Sequence, residues 1–157
     1  MRLFILAWGL ASLAACNLVS AADAPALAPA ANEAAERQRL VGTWVGFAVD
    51  GKGDHPDRGP VKMELTITEK SMRGVQLKDQ ERVDHGAGEF VLALADNPRH
   101  LDASKTSERG RKEEWVGVYT LEGDTLKWCV GRRDRPKVFE TTKGQFLLIL
   151  KRQPAKK

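Results

Sequence analysis

The ten residues from Tyr119 to Trp128, Tyr-Thr-Leu-Glu-Gly-Asp-Thr-Leu-Lys-Trp, constrain the fold more than any other stretch of the chain. At their centre Gly123-Asp124 is the kind of two-residue turn that reverses a twisted antiparallel pair, because glycine enters the positive-φ conformation such a turn demands. The turn fixes the register. Leu121 falls opposite Leu126 and Tyr119 opposite Trp128, and period-two alternation places both pairs on one face with Gly117 and Val130, an inner face. Thr120 and Lys127 fall on the solvent side, and Val118 and Cys129 join them there unless something covers them.

The same signal recurs from Gly42 onward as short runs of β-branched and aromatic residues separated by turn clusters. It predicts strands at about 43–49, 61–68, 72–77, 89–95, 100–103, 115–121, 125–131, 137–141 and 145–152. Ahead of them Asn32 caps an expected short helix from Glu33 to about Leu40, with Glu33 and Glu36 near its positive end and Arg37 and Arg39 near the other. No second long helical pattern follows. Successive antiparallel strands in one small domain must deal with their edges, and closure does so without helices on the faces. The expectation is an all-β fold, a small antiparallel up-and-down β-barrel with a short N-terminal helix; a two-sheet β-sandwich is the alternative.

The first residues of the chain carry a different pattern. Met1-Arg2 is a minimal basic start, and the apolar run from Leu3 to Ala15 is too short to span a bilayer, as in the central region of a signal sequence. It ends in Leu13-Ala14-Ala15-Cys16, small residues before a cysteine, which has the form of a lipobox. Cys16 is thus the expected lipidation site, and an N-terminal diacylglycerol on it would join the protein to a membrane of the cell envelope. Cleavage by an ordinary signal peptidase after Ala21 or Ala22 is the alternative and would give a secreted or periplasmic protein. Residues 1–16 are then the signal sequence with its lipobox, 17–31 an Ala/Pro-rich linker that behaves as an extended tether, 32–152 the β-domain and 153–157 a basic tail. With 2 cysteines an exported chain would ordinarily form one disulfide. A lipid on Cys16 forbids it and leaves Cys129 as an unpaired thiol, most simply a small buried apolar residue.

Charge narrows the function classes. The net charge is +4, from 25 Lys and Arg against 21 Asp and Glu, and the two signs are interleaved, as in Arg109-Gly110-Arg111-Lys112-Glu113-Glu114. Nucleic-acid binding, which concentrates basic residues on one face, is not expected. There is no phosphate-binding glycine loop, no nucleophile elbow and no paired metal-ligand motif, so neither a cofactor nor catalysis is indicated. Asp54-His55-Pro56-Asp57 and Asp84-His85 set carboxylates beside histidines, the residue types of a metal site or a general base, but in Gly-rich loops where the same residues form solvated turns. No metal site is assigned to them. The densest basic cluster, Arg132, Arg133, Arg135 and Lys137, lies between two strands and hence on a rim. It is the expected place for an anion such as a carboxylated or sulfated glycan or a lipid headgroup, the plainer role being a solvated loop.

Leu40-Val41-Gly42-Thr43-Trp44, Asp50-Gly51-Lys52, Pro98-Arg99-His100-Leu101-Asp102, the segment Gly117 to Cys129, Arg135-Pro136-Lys137-Val138-Phe139 and Leu147 to Arg152 together resemble the lipocalin-like domain family common in planctomycete proteins. The resemblance covers residues 40–152 and implies a fold rather than an activity, with no catalytic residues to carry over. Gly42-Thr43-Trp44 is similar to the Gly-x-Trp that opens the first strand of lipocalins, where the indole closes the barrel base beneath a basic residue from the end of the barrel. That implies barrel closure by Trp44 with Lys151 or Arg152, a cation on an indole face being favourable by about 0.5–2 kcal/mol. The chain departs from the family pattern at Trp128, where a smaller aliphatic is usual, and this indole would fill part of any interior cavity.

The function expected is a non-catalytic one. Either the barrel binds a small apolar or amphiphilic ligand in a cavity lined by Tyr119, Leu121, Leu126 and Trp128, or its surface serves as an interaction module with a protein partner that the sequence does not specify. The alternative is a hydrolase whose carboxylates and histidines converge from the His55 and His85 loops on one mouth of the barrel.

Overall fold

The computed structural model describes residues 29–51, 59–78 and 81–154. Cys16, the signal sequence and most of the linker lie outside them, as do His55 and its neighbouring acids. One helix, α1 (Pro29–Leu40), precedes eight strands: β1 (Gly42–Asp50), β2 (Val61–Ile67), β3 (Ser71–Lys78), β4 (Glu81–Ala93), β5 (Arg99–Thr106), β6 (Lys112–Glu122), β7 (Thr125–Gly131) and β8 (Gln145–Arg152). Each strand pairs antiparallel with the next and β8 returns to β1, giving a closed up-and-down barrel of the lipocalin-like kind. A sandwich is excluded by that closure.

The β6–β7 hairpin has the register its turn dictates, with Leu121 opposite Leu126, Tyr119 opposite Trp128 and Gly117 opposite Val130. Gly123 takes φ +55° in the turn. Inward alternation along the strands builds one core, in which Trp44, Ile67, Leu101, Tyr119, Leu126 and Leu150 are all 1% exposed or less.

Three expectations are corrected. The helix begins at Pro29, so Asn32 lies inside it rather than capping it; proline is tolerated in a first turn, and the alanines around it favour the helix. The 137–141 strand does not form. Once β7 pairs with β8 over seven residues there is no free edge for it, and Pro136 lacks a donor. The segment instead runs over the outer face of the barrel, where the Cys129 thiol meets the Glu140 carbonyl at 3.8 Å. That is why Cys129 and Val118, both outward by alternation, are buried. Finally, β4 begins at Glu81 rather than 89. Its upper half pairs with β3 alone, across a register shift between Arg73 and Val75. Gly86 sits at φ +81° beside that irregularity, and Arg73 grips Asp84 with both guanidinium arms, one of them at 3.1 Å.

Candidate functional site: the barrel interior

The two ends of the barrel differ. At the lower end α1 lies across the opening and is tied to six surrounding segments. Arg37 donates to the Glu69 and Phe90 carbonyls at 3.2 and 3.1 Å and stacks on the Phe90 ring at 4.5 Å. Glu36, 4% exposed, accepts from Arg39 at 2.6 Å, Arg99 at 2.8 Å and the Tyr119 hydroxyl at 3.2 Å. Burial, reinforced by the Glu36 charge, pushes the Tyr119 phenol above its ordinary value. Beneath the helix the Trp44 indole donates to the Leu40 carbonyl at 2.9 Å. The Arg152 guanidinium lies 4.1 Å over the Trp44 ring and donates to the Val41 and Arg39 carbonyls at 2.5 Å each. Lys151, one residue earlier, points outward and is exposed. A side chain at Gly42, whose φ is +141°, would meet that guanidinium at 2.9 Å, which accounts for the glycine two residues before the tryptophan.

Above this plug the interior is open. A cavity of about 490 Å³ is walled by Ala48, Met63, Leu65, Met72, Ala103, Trp115, Trp128, Phe146 and Leu148, with Asp50, Gln76, His85, Lys105, Glu113 and Arg132 toward the mouth. Of the four residues expected to line it, only Trp128 does so. Tyr119 and Leu126 are buried below in the plug, and Leu121 packs against the core from its lower edge. The large side chains of the first-strand end and of β6 fill the lower half, so the free volume lies in the upper half, where inward positions on β1, β3 and β5 carry alanine and glycine.

Trp128 sets the cavity's depth through a gap in the sheet. The β5–β6 ladder pairs Arg99 with Tyr119, His100 with Val118 and then Ala103 with Trp115, skipping Leu101 and Asp102. The Trp128 indole donates to the freed Leu101 carbonyl at 3.0 Å from inside. From outside, the Asp102 carboxylate accepts from the Gly117 amide at 3.1 Å, and Arg135 donates to the Gly117 carbonyl at 2.7 Å while holding Asp102 at 2.5 and 2.6 Å. The Leu101 and Gly117 carbonyls and the Gly117 amide, released by the gap, are therefore each satisfied, as burial demands.

This seam divides the expected anion cluster. Arg135 is committed to Asp102 and the sheet. Arg132 lines the cavity mouth, exposed and engaged by no acceptor among the described residues. Arg133 and Lys137 are exposed on the connecting segment. The four do not form one anion site, and only Arg132 faces the interior.

The mouth contains one further cation. Lys105 donates to the His85 carbonyl at 2.6 Å, lies 3.7 Å from Glu113 and sits 5.6 Å over the Trp115 ring. Neither Lys105 nor Trp115 stood out in the sequence. Alternation from Leu101 and from Tyr119 would have placed both inside, had the strands been extended that far.

Of the histidines, His85 is at the mouth and His100 is near the closed end, paired with Asp96 at 3.0 Å. Asp84 is held by Arg73 and the Gly86 amide, which bring its carboxyl down to about 2. It is a clamp for the bulge. Among the described residues no Ser, Thr or Cys side chain is hydrogen-bonded to a histidine, and no group of three His, Cys, Asp or Glu is placed to hold a metal ion. Burial raises the Cys129 thiol above its usual range, which disfavours the reactive thiolate.

Protein-family models, curated proteins and solved structures give no match to the chain. Its chemistry rests on its own geometry.

Proposed function

We propose that the chain is an exported, lipid-anchored member of the lipocalin-like domain family, held to the cell envelope through Cys16, whose barrel carries a small apolar or amphiphilic ligand and performs no catalysis. The open 490 Å³ cavity supports this reading above all. Ligand pockets of small-molecule carriers are about 300–1,000 Å³, mostly apolar, with a few polar groups that orient the guest. Here the wall is methionine, leucine, alanine and aromatic carbon, and the charged residues collect at the mouth. An amphiphile would lie chain inward, head toward Arg132 and Lys105.

Native mass spectrometry of the protein purified from its own host tests both halves of the proposal, with Cys16→Ala and Ala48→Leu variants in parallel. The expected result is a diacylglycerol-sized mass on the mature N-terminus that vanishes in Cys16→Ala, together with a non-covalent mass that weakens in Ala48→Leu. A bare chain starting at Ala22 or Asp23 would overturn the anchor. An empty barrel would overturn the carrier and leave a surface interaction module.

A further inference from the structure

The outer wall opposite the β4–β5 side carries a pattern that ligand binding does not use. Residues paired across antiparallel strands stand side by side on one face, with strands about 4.8 Å apart. Lys62 is opposite Phe47, Phe47 opposite Ile149, and Ile149 opposite Lys127. One row across β2, β1, β8 and β7 therefore runs Lys-Phe-Ile-Lys on the outside of the barrel. In the row above, Val49 is opposite Leu147; in the row below, Val45 is opposite Lys151. Phe47 is 52% exposed, Ile149 41% and Val49 39%.

Half-exposed phenylalanine and isoleucine at the crest of a wall, with a lysine on each side, is a pairing that calls for a partner of matching chemistry. No carboxylate among the described residues is ion-paired to Lys62, Lys127 or Lys151. Of the acids around this face, Glu64 is taken by Arg82 at 2.7 Å, and the exposed Glu122 and Glu140 stand at its margin, on β6 beyond Thr125 and on the segment beside Cys129. A second copy is a poor occupant, because a two-fold would set each lysine-flanked patch against another. A barrel wall is convex, so a flat partner meets only its crest. The surface that presents negative charge first and hydrocarbon just beneath, wherever the crest touches, is a bilayer with anionic headgroups. Lysine stems lie along apolar surface and reach their ammonium groups outward to such headgroups.

We propose that the β1–β8 wall, centred on Phe47 and Ile149 and flanked by Lys62, Lys127 and Lys151, rests on an anionic membrane surface. The barrel would lie on its side there, with its cavity mouth close to the lipid plane. The proposal needs neither a cavity ligand nor an acyl chain on Cys16.

A polarity-sensitive fluorophore tests it, attached in the full chain at Ile149→Cys or, as the control, at Val91→Cys on β4 across the barrel. Both are made with Cys16→Ser and Cys129→Ala, so that no acyl chain or second label intervenes. Vesicles of phosphatidylglycerol and phosphatidylcholine are compared with vesicles of phosphatidylcholine alone, flotation confirming that the protein is bound. On anionic vesicles the label at 149 should shift to the blue and brighten several-fold while the label at 91 does not. The response should vanish in about 0.5 M NaCl, where the Debye length falls to a few ångströms, and in the Lys62→Gln, Lys127→Gln, Lys151→Gln variant. An equal response at both positions, or none at 149 on vesicles that carry the protein, overturns the proposal. So does a response at 149 elicited only by an acidic host protein, which would make the wall a protein interface.

Discussion

Gly117 and Trp128 show how tightly one substitution can be specified by another. A Cβ at Gly117 would stand 2.4 Å from the Trp128 indole nitrogen and 2.7 Å from the Cys129 carbonyl, so Gly117→Ala forces the indole or the backbone to move. Overpacking of this kind costs about 1–3 kcal/mol. Trp128→Phe has a different defect, leaving the Leu101 carbonyl without its donor, also worth about 1–3 kcal/mol. Because both act on one contact, the double variant should be less destabilised than the sum of the two, by about 0.5 kcal/mol or more. Urea unfolding of the four proteins checks this, and strict additivity would mean that the indole does not occupy the gap. Asp84 offers a second residue-scale prediction. Its folded carboxyl lies at about 2, below the ordinary value of about 3.9. Its contribution is present above pH 4 and lost as pH falls toward 2. Asp84→Asn should therefore flatten the acid limb of the stability profile between those values and lower stability at neutral pH by the same small amount, small because the pair with Arg73 is exposed.

At the scale of elements, α1 is held by polar contacts as much as by Leu40. Glu36 is the hub, and Glu36→Ala would leave Tyr119 without its acceptor while Arg99 and Arg39, each about half exposed, turn to water. The expected loss is about 1–3 kcal/mol, and hydrogen exchange should quicken in 29–40 before it changes in the strands. Tyr119 adds an alkaline signature. A phenol raised by burial keeps its proton in the folded state after the unfolded chain has lost it, so stability present below pH 10 declines as pH rises above it. Tyr119→Phe should show a shallower alkaline decline. The elements differ in how far the sequence revealed them. The β6–β7 hairpin was legible to the residue because a two-residue turn leaves one register. The 137–141 segment has the composition of a strand, but strand formation depends on a free edge, and β8 had already taken it. The upper half of β4 was hidden for the opposite reason: Asp84, His85 and Gly86 have turn chemistry, and it is Arg73, eleven residues back, that holds them extended. In the basic cluster, nothing local tells Arg135 from Arg132; the carboxylate that claims Arg135 is 33 residues away.

The whole barrel divides its interior between a packed plug and an open cavity, and the energetics of the proposed guest should follow that division. Burial of a hydrocarbon chain yields about 25 cal/mol per Å², whereas an exposed pair between Arg132 and an anionic head contributes only about 0.2–1 kcal/mol. Affinity should thus depend mainly on the chain and only weakly on the head. A medium-chain fatty acid and its methyl ester are suitable probes, and both should raise the melting temperature with concentration, as any ligand of the folded state does. Arg132→Gln should weaken the acid by about two- to five-fold and leave the ester unchanged. Ala48→Leu, which narrows the cavity between Val61 and Leu148, should weaken acid and ester alike and by more. Isothermal titration of both probes against the three proteins separates the cases. If Arg132→Gln abolished binding of the acid while Ala48→Leu left both probes untouched, the guest would be sitting on the rim with the interior unoccupied, and the barrel would be a scaffold for its mouth.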